Sequence, residues 1–438
     1  MIERFAPDAT LPRQVLVEAR IPSRRLDDPG AAVTAQLNAV LGDKRLDGQR
    51  VIIGVGSRGI DRLPEVVRAA VAFVKSRGAT PAIIPVMGNH GGATDEGQRG
   101  ILEGLGITAA TVGAPIKPRM QTQQIGETPS GIPVHVAAEA LEADAVLIIN
   151  RVKPHTDFES ERLGSGLIKM SAIGFGKSEG AAACHRAGIR LGLEKALLEV
   201  SRVVLGRLPL LAGIALIEDG LHQLSHVEAM AGNVIHDREP ALLREARGLM
   251  PALPFERIDV LVIDWMGKDI SGAGLDTNII GRGIDGIPRP SRTSDVGAIY
   301  VRGLTPASHG NAIGLGICDV VSNRIVDALD TEAVFTNALS AMTPWTAKVP
   351  MHFASDRDCL RAALRFCGTD TAKAGIVRIK STLALDRFLA SDTYAAQIAD
   401  RRDLQVVDGP VDWGFDSRGD FDDSHDLLNG HGHRAAGG

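Results

Sequence analysis

Short apolar runs alternate along the chain with stretches whose apolar positions recur every three or four residues. Val51-Ile52-Ile53 predicts a buried strand, and Leu63 to Arg77, with Val66, Val67, Ala70, Val71 and Val74 on one face, predicts an amphipathic helix. Ala82 to Val86 predicts the next strand. A helix over 95–105, a strand over 132–136, a helix over 138–143 and a strand over Ala145 to Ile149 continue the rhythm. This alternation predicts βαβ units and a mostly parallel sheet. Residues 240–254 predict a helix leading into a second unit, which opens on the strand Ile258 to Ile263. Strand-like segments at Val296–Val301 and 311–316 follow, with helices near 331–341, 356–364 and 383–389. The expected organisation is an α/β unit over 1–250, a second over 251–410, and a disordered tail over 411–438, because the end is rich in Gly, Asp and His. His425, His431 and His433 in that tail suit a solvated segment better than a metal site.

Composition narrows the function. The 438 residues carry a formal net charge of -5 without a long basic run, so a nucleic-acid surface is not expected. Aromatic residues make up 4%, which leaves the core to Ala, Val, Leu and Ile. Cys184, Cys318, Cys359 and Cys367 lack C-x-x-C spacing, against a disulfide framework or zinc ribbon. Without a secretory signal or an apolar run of about 18 residues, a cytoplasmic protein that does not span a membrane is expected. No internal repeat is evident.

Ligands of open α/β sheets bind beyond the carboxyl ends of the strands. His90 follows the Ile83–Val86 run in Gly-Asn-His-Gly-Gly, and His155 follows the Ala145–Ile149 run in Lys-Pro-His-Thr-Asp-Phe. An imidazole in such a loop can accept or donate a proton near neutral pH, although each alone also suits a structural role. Asp157 is the nearest group to orient a ring. Gly54-Val55-Gly56-Ser57-Arg58-Gly59 fits a dinucleotide fingerprint between strand and helix, but the second strand does not end on an acid, so NAD is weakly supported. The surviving alternatives are a tight turn and an anion site using Gly56, Ser57 and Arg58. Gly174-Phe175-Gly176-Lys177-Ser178 imitates a P-loop, yet Ser171 stands where the pattern requires glycine, which argues against an ATPase. Lys169, between apolar neighbours, can present a partly desolvated, reactive amine. His185 offers one imidazole, which alone makes no metal site.

Taken together, these motifs resemble the nickel-pincer lactate racemase family, most clearly over residues 50 to 190. The resemblance implies two α/β domains with mostly parallel sheets and an active site in the cleft between them. It implies a pyridinium-3,5-bisthiocarboxylic acid mononucleotide, the nickel-pincer nucleotide, attached to Lys169. His185 is the implied nickel ligand, Arg58 the contact to the cofactor phosphate, and His90 and His155 the two acid/base histidines. The implied reaction is racemisation or epimerisation of a 2-hydroxy acid through hydride transfer to the cofactor.

The carboxyl-terminal half departs from the family. Gly274-Leu275-Asp276-Thr277-Asn278 resembles a family motif, but Ile280-Gly281-Arg282-Gly283 stands where lactate racemases carry a tyrosine, a glutamine and a lysine. The loop after His155 is longer, with Glu159, Glu161 and Arg162 inserted. A substrate other than lactate is therefore expected, with Asn278 near it and Arg282 on its carboxylate or on a second acidic group. The competing readings are a non-catalytic or differently specialised nucleotide- or hydroxy-acid-binding homologue, and a dehydrogenase or zinc hydrolase using the same cleft. The missing strand-end acid weighs against NAD, and the lack of H-x-x-x-H spacing against zinc. Sequence does not set the oligomeric state.

Overall fold

The computed structural model describes residues 2–4, 10–289, 294–422 and 428. Two compact units are present: Pro22–Met250, and Met1–Ile21 together with Pro251–Gly438. The fold is mixed α/β with mostly parallel sheets.

The Pro22–Met250 unit is built on a five-stranded sheet. Its spatial order is Thr80–Pro85, Arg50–Val55, Ala145–Arg151, Leu210–Glu218, Leu224–Met230. The first four strands are parallel and Leu224–Met230 is an antiparallel edge. Both faces are covered, so the strands read as continuous apolar runs rather than alternating ones. Ile52, Ile84, Val146 and Ile148 enter one core with Leu167, Ile168 and Phe175. Val51, Ile53, Leu147 and Ile149 enter the other with Val66, Val67 and Val74 of the helix Leu63–Ser76. Each fully buried valine there contributes on the order of 1.5–3 kcal/mol. The strand Pro133–Ala137 stands apart from this sheet, paired antiparallel with Thr122–Glu127.

The other unit carries an eight-stranded sheet. Five strands, Met351–Phe353, Val320–Ser322, Asp295–Leu304, Arg257–Met266 and Ile376–Ser381, run parallel in that order. Ala384–Ser391, Gln14–Ala19 and Leu404–Val411 continue it antiparallel. Three expectations are corrected here. Residues 1–21 do not belong with 22–250, because Gln14–Ala19 is hydrogen-bonded between Ala384–Ser391 and Leu404–Val411. The segment 383–389 is strand, not helix, because it folds back as a hairpin onto Ile376–Ser381 and buries Phe388 and Leu389. Residues 311–316 form a loop ending in the turn Leu315–Ile317 rather than a strand. Residues 411–422 of the expected tail are ordered, with Trp413 and Phe421 buried against Tyr300 and Leu360. His425, His431 and His433 lie outside the described residues. No helix among the described residues is long and apolar enough to cross a membrane.

Candidate functional site

The loops that leave Thr80–Pro85, Arg50–Val55 and Ala145–Arg151 carry His90, Arg58 and His155 respectively. Adjacent strands lie about 4.8 Å apart, so the outer two strand ends are roughly 10 Å apart with Arg58 between them. Cross-links hold these loops together. Asn150, at the end of its strand, donates from Nδ2 to the Gly166 carbonyl at 2.9 Å. A Cβ on Gly56 would lie 3.0 Å from the Asn150 Oδ1, so glycine there permits the close approach. Arg151 pairs with Glu218, and Glu218 accepts the Asp61 amide at 2.8 Å, fixing the turn beyond Arg58. The helix after this turn starts at Leu63, and its first turn carries Glu65, bound by Arg62.

His155 is buried at 5% exposure, with its ring stacked on Phe158 at 4.4 Å and 17°. Nδ1 accepts the Asp157 backbone N–H at 3.0 Å. A neutral imidazole that accepts at Nδ1 carries its proton on Nε2, so the bond selects that tautomer. Burial, followed by repulsion from Lys169, lowers the His155 pKa to about 3, against the attraction of Asp157. The ring is therefore neutral at physiological pH. The loop beyond it is pinned. Ser160 Oγ donates to Glu194 at 2.6 Å and accepts the Arg162 and Leu163 amides, while Arg247 binds Glu161 and the Ser160 carbonyl.

Lys169 ends a one-turn helix, Leu167–Lys169, that runs into the π-helical turn Met170–Gly174; such turns are frequent at functional sites. The start of this helix is supported by Glu239, which accepts the Ile168 amide at 3.0 Å and is fully buried. Glu239 sits so close that a Cβ on Gly166 would meet its Oε1 at 2.3 Å. Burial lowers the Lys169 pKa to about 8, with Arg58 adding to the effect and Asp157 opposing it. His185, half-buried on the helix Lys177–Leu191, is pushed down by burial and by Lys169. Asp157 is held below its usual range because His155, Lys169, Thr156 and His185 together outweigh burial, the largest single influence. Arg58 is pushed down by burial and by Arg151, and favoured by Asp157. Arg58, His155, Asp157, Lys169 and His185 thus form one electrostatic neighbourhood. Cys184 is buried, and its thiol is pushed up to about 12, as suits packing and not ligation.

His90 has its backbone fixed. Its amide donates to the Met87 carbonyl at 3.3 Å, and the Gly88 amide donates to the Gly174 carbonyl at 3.2 Å, linking the His90 loop to the turn after Lys169. Arg282 and Asn278 lie in the other unit. The expected carboxylate partner of Arg282 is instead supplied by the protein. Arg282 is 6% exposed, bound to Asp319 at 2.7 Å, and donates to the carbonyls of Gly297, Val296 and Ile317. Its charge is balanced by Asp319, and its Nη1 and Nη2 donors are engaged by that carboxylate and these carbonyls. Asn278 is buried beside the helix cap Asp276, which accepts from both its amide and its Nδ2. Among the described residues, no three or more His, Cys, Asp or Glu side chains converge as a metal site of their own. Motif reading passed over Asn150, Phe158 and Glu239. Phe158, three residues past His155, was within reach of such a reading; Glu239 carries no local signal.

Comparison with known proteins gives a fold and a partial family match. Residues 56–241 match the family described as Domain of unknown function (DUF362). No curated protein matches. The lactate racemase apoprotein from Thermoanaerobacterium thermosaccharolyticum is similar in structure, with a TM-score of 0.51, 14% identity, 85% of this chain covered and 99% of that one. A Thermotoga maritima protein solved by structural genomics gives a TM-score of 0.45 at 14% identity, covering 63% of this chain and 71% of that one. The likeness to the racemase is one of fold.

Proposed function

We propose that this chain is a nickel-pincer-nucleotide-dependent racemase or epimerase of a 2-hydroxy acid other than lactate. The observation that carries the reading is the gathering of Arg58, His155, Lys169 and His185 at the carboxyl ends of one parallel sheet. The residues fit the group. A lysine with its pKa near 8 has a substantial neutral fraction near neutral pH, as acylation requires. A histidine pushed toward its neutral form suits nickel. Arg58 offers a guanidinium for a phosphate. When bound, the pincer group supplies a two-electron acceptor and donor.

The chain's own residues then handle protons. With its proton on Nε2, His155 starts as a neutral hydrogen-bond donor to the substrate oxygen, and His90 starts as the base for the hydroxyl proton. For the opposite enantiomer the roles exchange. To accept at Nε2, His155 first exchanges to the other tautomer, giving its Nε2 proton to water and taking a proton from water at Nδ1, which releases the Asp157 amide. The loop carrying Asp157 is consequently part of the reaction. The positive balance of Arg58 and Lys169 over Asp157 suits an anionic ligand.

The test is to produce the chain alongside the cofactor-forming enzymes and measure intact mass, nickel, and racemisation of enantiopure lactate, malate, mandelate and phenyllactate. Expected are a mononucleotide adduct lost in Lys169→Ala, nickel lost in His185→Ala with the adduct kept, weaker cofactor retention in Arg58→Ala, and turnover lost in His90→Ala and His155→Ala. A full adduct on Lys169→Ala would overturn the assignment.

A further inference from the structure

The Gly-Lys-Ser sequence that imitates a P-loop has a different use. Lys177 is 1% exposed and adopts φ +50°, a left-handed conformation that favours glycine. A lysine persists at such a position when its side chain does something glycine cannot. Its Nζ donates to the Pro85 carbonyl at 2.7 Å and to Gln98 Oε1 at 2.8 Å. Gln98 is fully buried, and its Nε2 donates to the Gly88 carbonyl at 2.8 Å and the His90 carbonyl at 3.3 Å. The orientation of this amide is fixed by chemistry. An ammonium only donates and a carbonyl only accepts, so only one orientation of Gln98 satisfies both ends. Glu139, 7% exposed, and Asp95 supply negative charge toward Lys177. The far side of the loop is wedged as well: a Cβ on Gly97 would lie 1.8 Å from the Gly91 carbonyl oxygen.

We propose that Lys177 and Gln98 are positioning residues for His90: the ammonium orients the Gln98 amide, and the amide holds the two carbonyls that set where the His90 ring is presented. The inference rests on His90 acting on the substrate, as proposed above. Neither residue reaches the reacting atoms. Their role is to keep the His90 loop, which contains glycines at 88, 91 and 92, from sampling other conformations.

Gln98→Glu is the diagnostic change. It keeps the shape and the acceptor toward Lys177, but turns an oxygen toward the Gly88 and His90 carbonyls. Hydrogen–deuterium exchange of the cofactor-free chain is expected to rise about tenfold in peptides spanning 86–94, and to stay unchanged over Arg50–Val55 and Ala145–Arg151. In the loaded enzyme, kcat for the fastest 2-hydroxy acid of the panel is expected to fall about tenfold, with KM, adduct mass and nickel content unchanged. Lys177→Met should give the same pattern, and it serves if Gln98→Glu does not fold. Wild-type exchange over 86–94 or wild-type kcat in both variants would overturn the positioning role. His90→Ala, measured in parallel, separates the two ideas. Full activity in His90→Ala defeats the functional reading and the catalytic part of this inference, whereas loss of activity there with normal kcat in Gln98→Glu defeats this inference alone.

Discussion

Each unit gathers charged side chains toward the carboxyl ends of its parallel strands, and the two gatherings are finished differently. In the Pro251–Gly438 unit, Arg302 bridges Asp264 at 2.9 Å and Asp356 at 2.8 Å, Arg378 pairs with Asp264 at 2.8 Å, and Arg324 pairs with Asp356 and Asp420. Tyr300 donates to Asp356, and Phe421 lies 4.7 Å from the Arg302 guanidinium and 4.6 Å from that of Arg378. Three cations meet three anions under an aromatic cover. In the Pro22–Met250 unit, Arg58 and Lys169 face one carboxylate, Asp157, and the two neighbouring imidazoles are held neutral. Closed charge serves stability. Open charge, with two cations facing a single carboxylate, fits a place kept for a ligand. The same architecture thus supports one structural centre and one candidate site.

The largest effect is expected from opening the closed network. Asp356→Ala leaves Arg302 and Arg324 without their shared partner in a buried setting, and should cost about 3–5 kcal/mol in denaturant unfolding. Lys169→Met removes a charge that burial and Arg58 already oppose, so stability should change by less than about 1 kcal/mol, or rise. If Lys169→Met cost as much as Asp356→Ala, the contrast between the two centres would be lost.

Residues of the open centre stood out in the sequence, and those of the closed network did not. Strands buried on both faces announce themselves as apolar runs, and polar residues just beyond their ends are conspicuous. That is why Arg58, His90 and His155 could be placed just beyond strand ends from the order of residues alone, whereas the strand order that makes their loops neighbours could not. What escaped depends on distant partners. The segment 383–389 has mixed spacing, and hairpin pairing with Ile376–Ser381 decides that it is strand. Gln14–Ala19 is recruited by strands almost four hundred residues away, between which it lies. Arg282 offers the right chemistry for a substrate carboxylate, but in the fold Asp319 pairs with it at 2.7 Å. Phe421 sits in a polar stretch that composition alone assigns to a tail, and its packing on Arg302, Arg378 and Trp413 explains its order.

A second test compares two buried carboxylates of opposite sign. For Asp356, burial pushes the pKa up, but Arg302, Tyr300 and the Phe421 amide outweigh it and bring it to about 2. The folded chain therefore sheds that proton more readily than the unfolded one, and this contribution is lost as pH falls below 3.8 toward 2. Glu239, under the Lys169 helix, goes the other way. Burial raises its pKa from 4.5 to about 7, with only backbone amides opposing. The folded chain holds a proton there that the unfolded chain releases, so this contribution is full below pH 4.5 and lost as pH rises through 7. The shift corresponds to about 3 kcal/mol. Glu239→Gln keeps an oxygen for the Ile168 amide and should remove that slope. Urea unfolding at pH 5 and pH 8 checks it; parallel pH dependence in the two proteins would show that Glu239 ionises without penalty.

A last loss, smaller than those at Asp356 and Glu239, sharpens the candidate site itself. Phe158 is stacked on His155 and also packs against the core of its unit, on a loop pinned through Ser160, Glu194 and Arg247. An aromatic pair of this kind contributes about 0.5–1.5 kcal/mol beyond the area it buries. Phe158→Leu keeps most of the apolar volume and removes the stacked face, so a loss near 1 kcal/mol is expected. The more informative reading is the ring it covers. Burial is the largest cause of the low His155 pKa, ahead of Lys169, and the stacked phenyl is one wall of that burial. Removing it should admit water and move the His155 pKa up toward its ordinary value, followed by NMR titration of the ring, with His155→Gln to assign the signal. Lys169→Met should move it in the same direction by a smaller amount, because repulsion ranks below burial. If Phe158→Leu leaves the His155 titration unchanged while Lys169→Met shifts it, charge and not burial holds the ring neutral, and Phe158 would be packing alone.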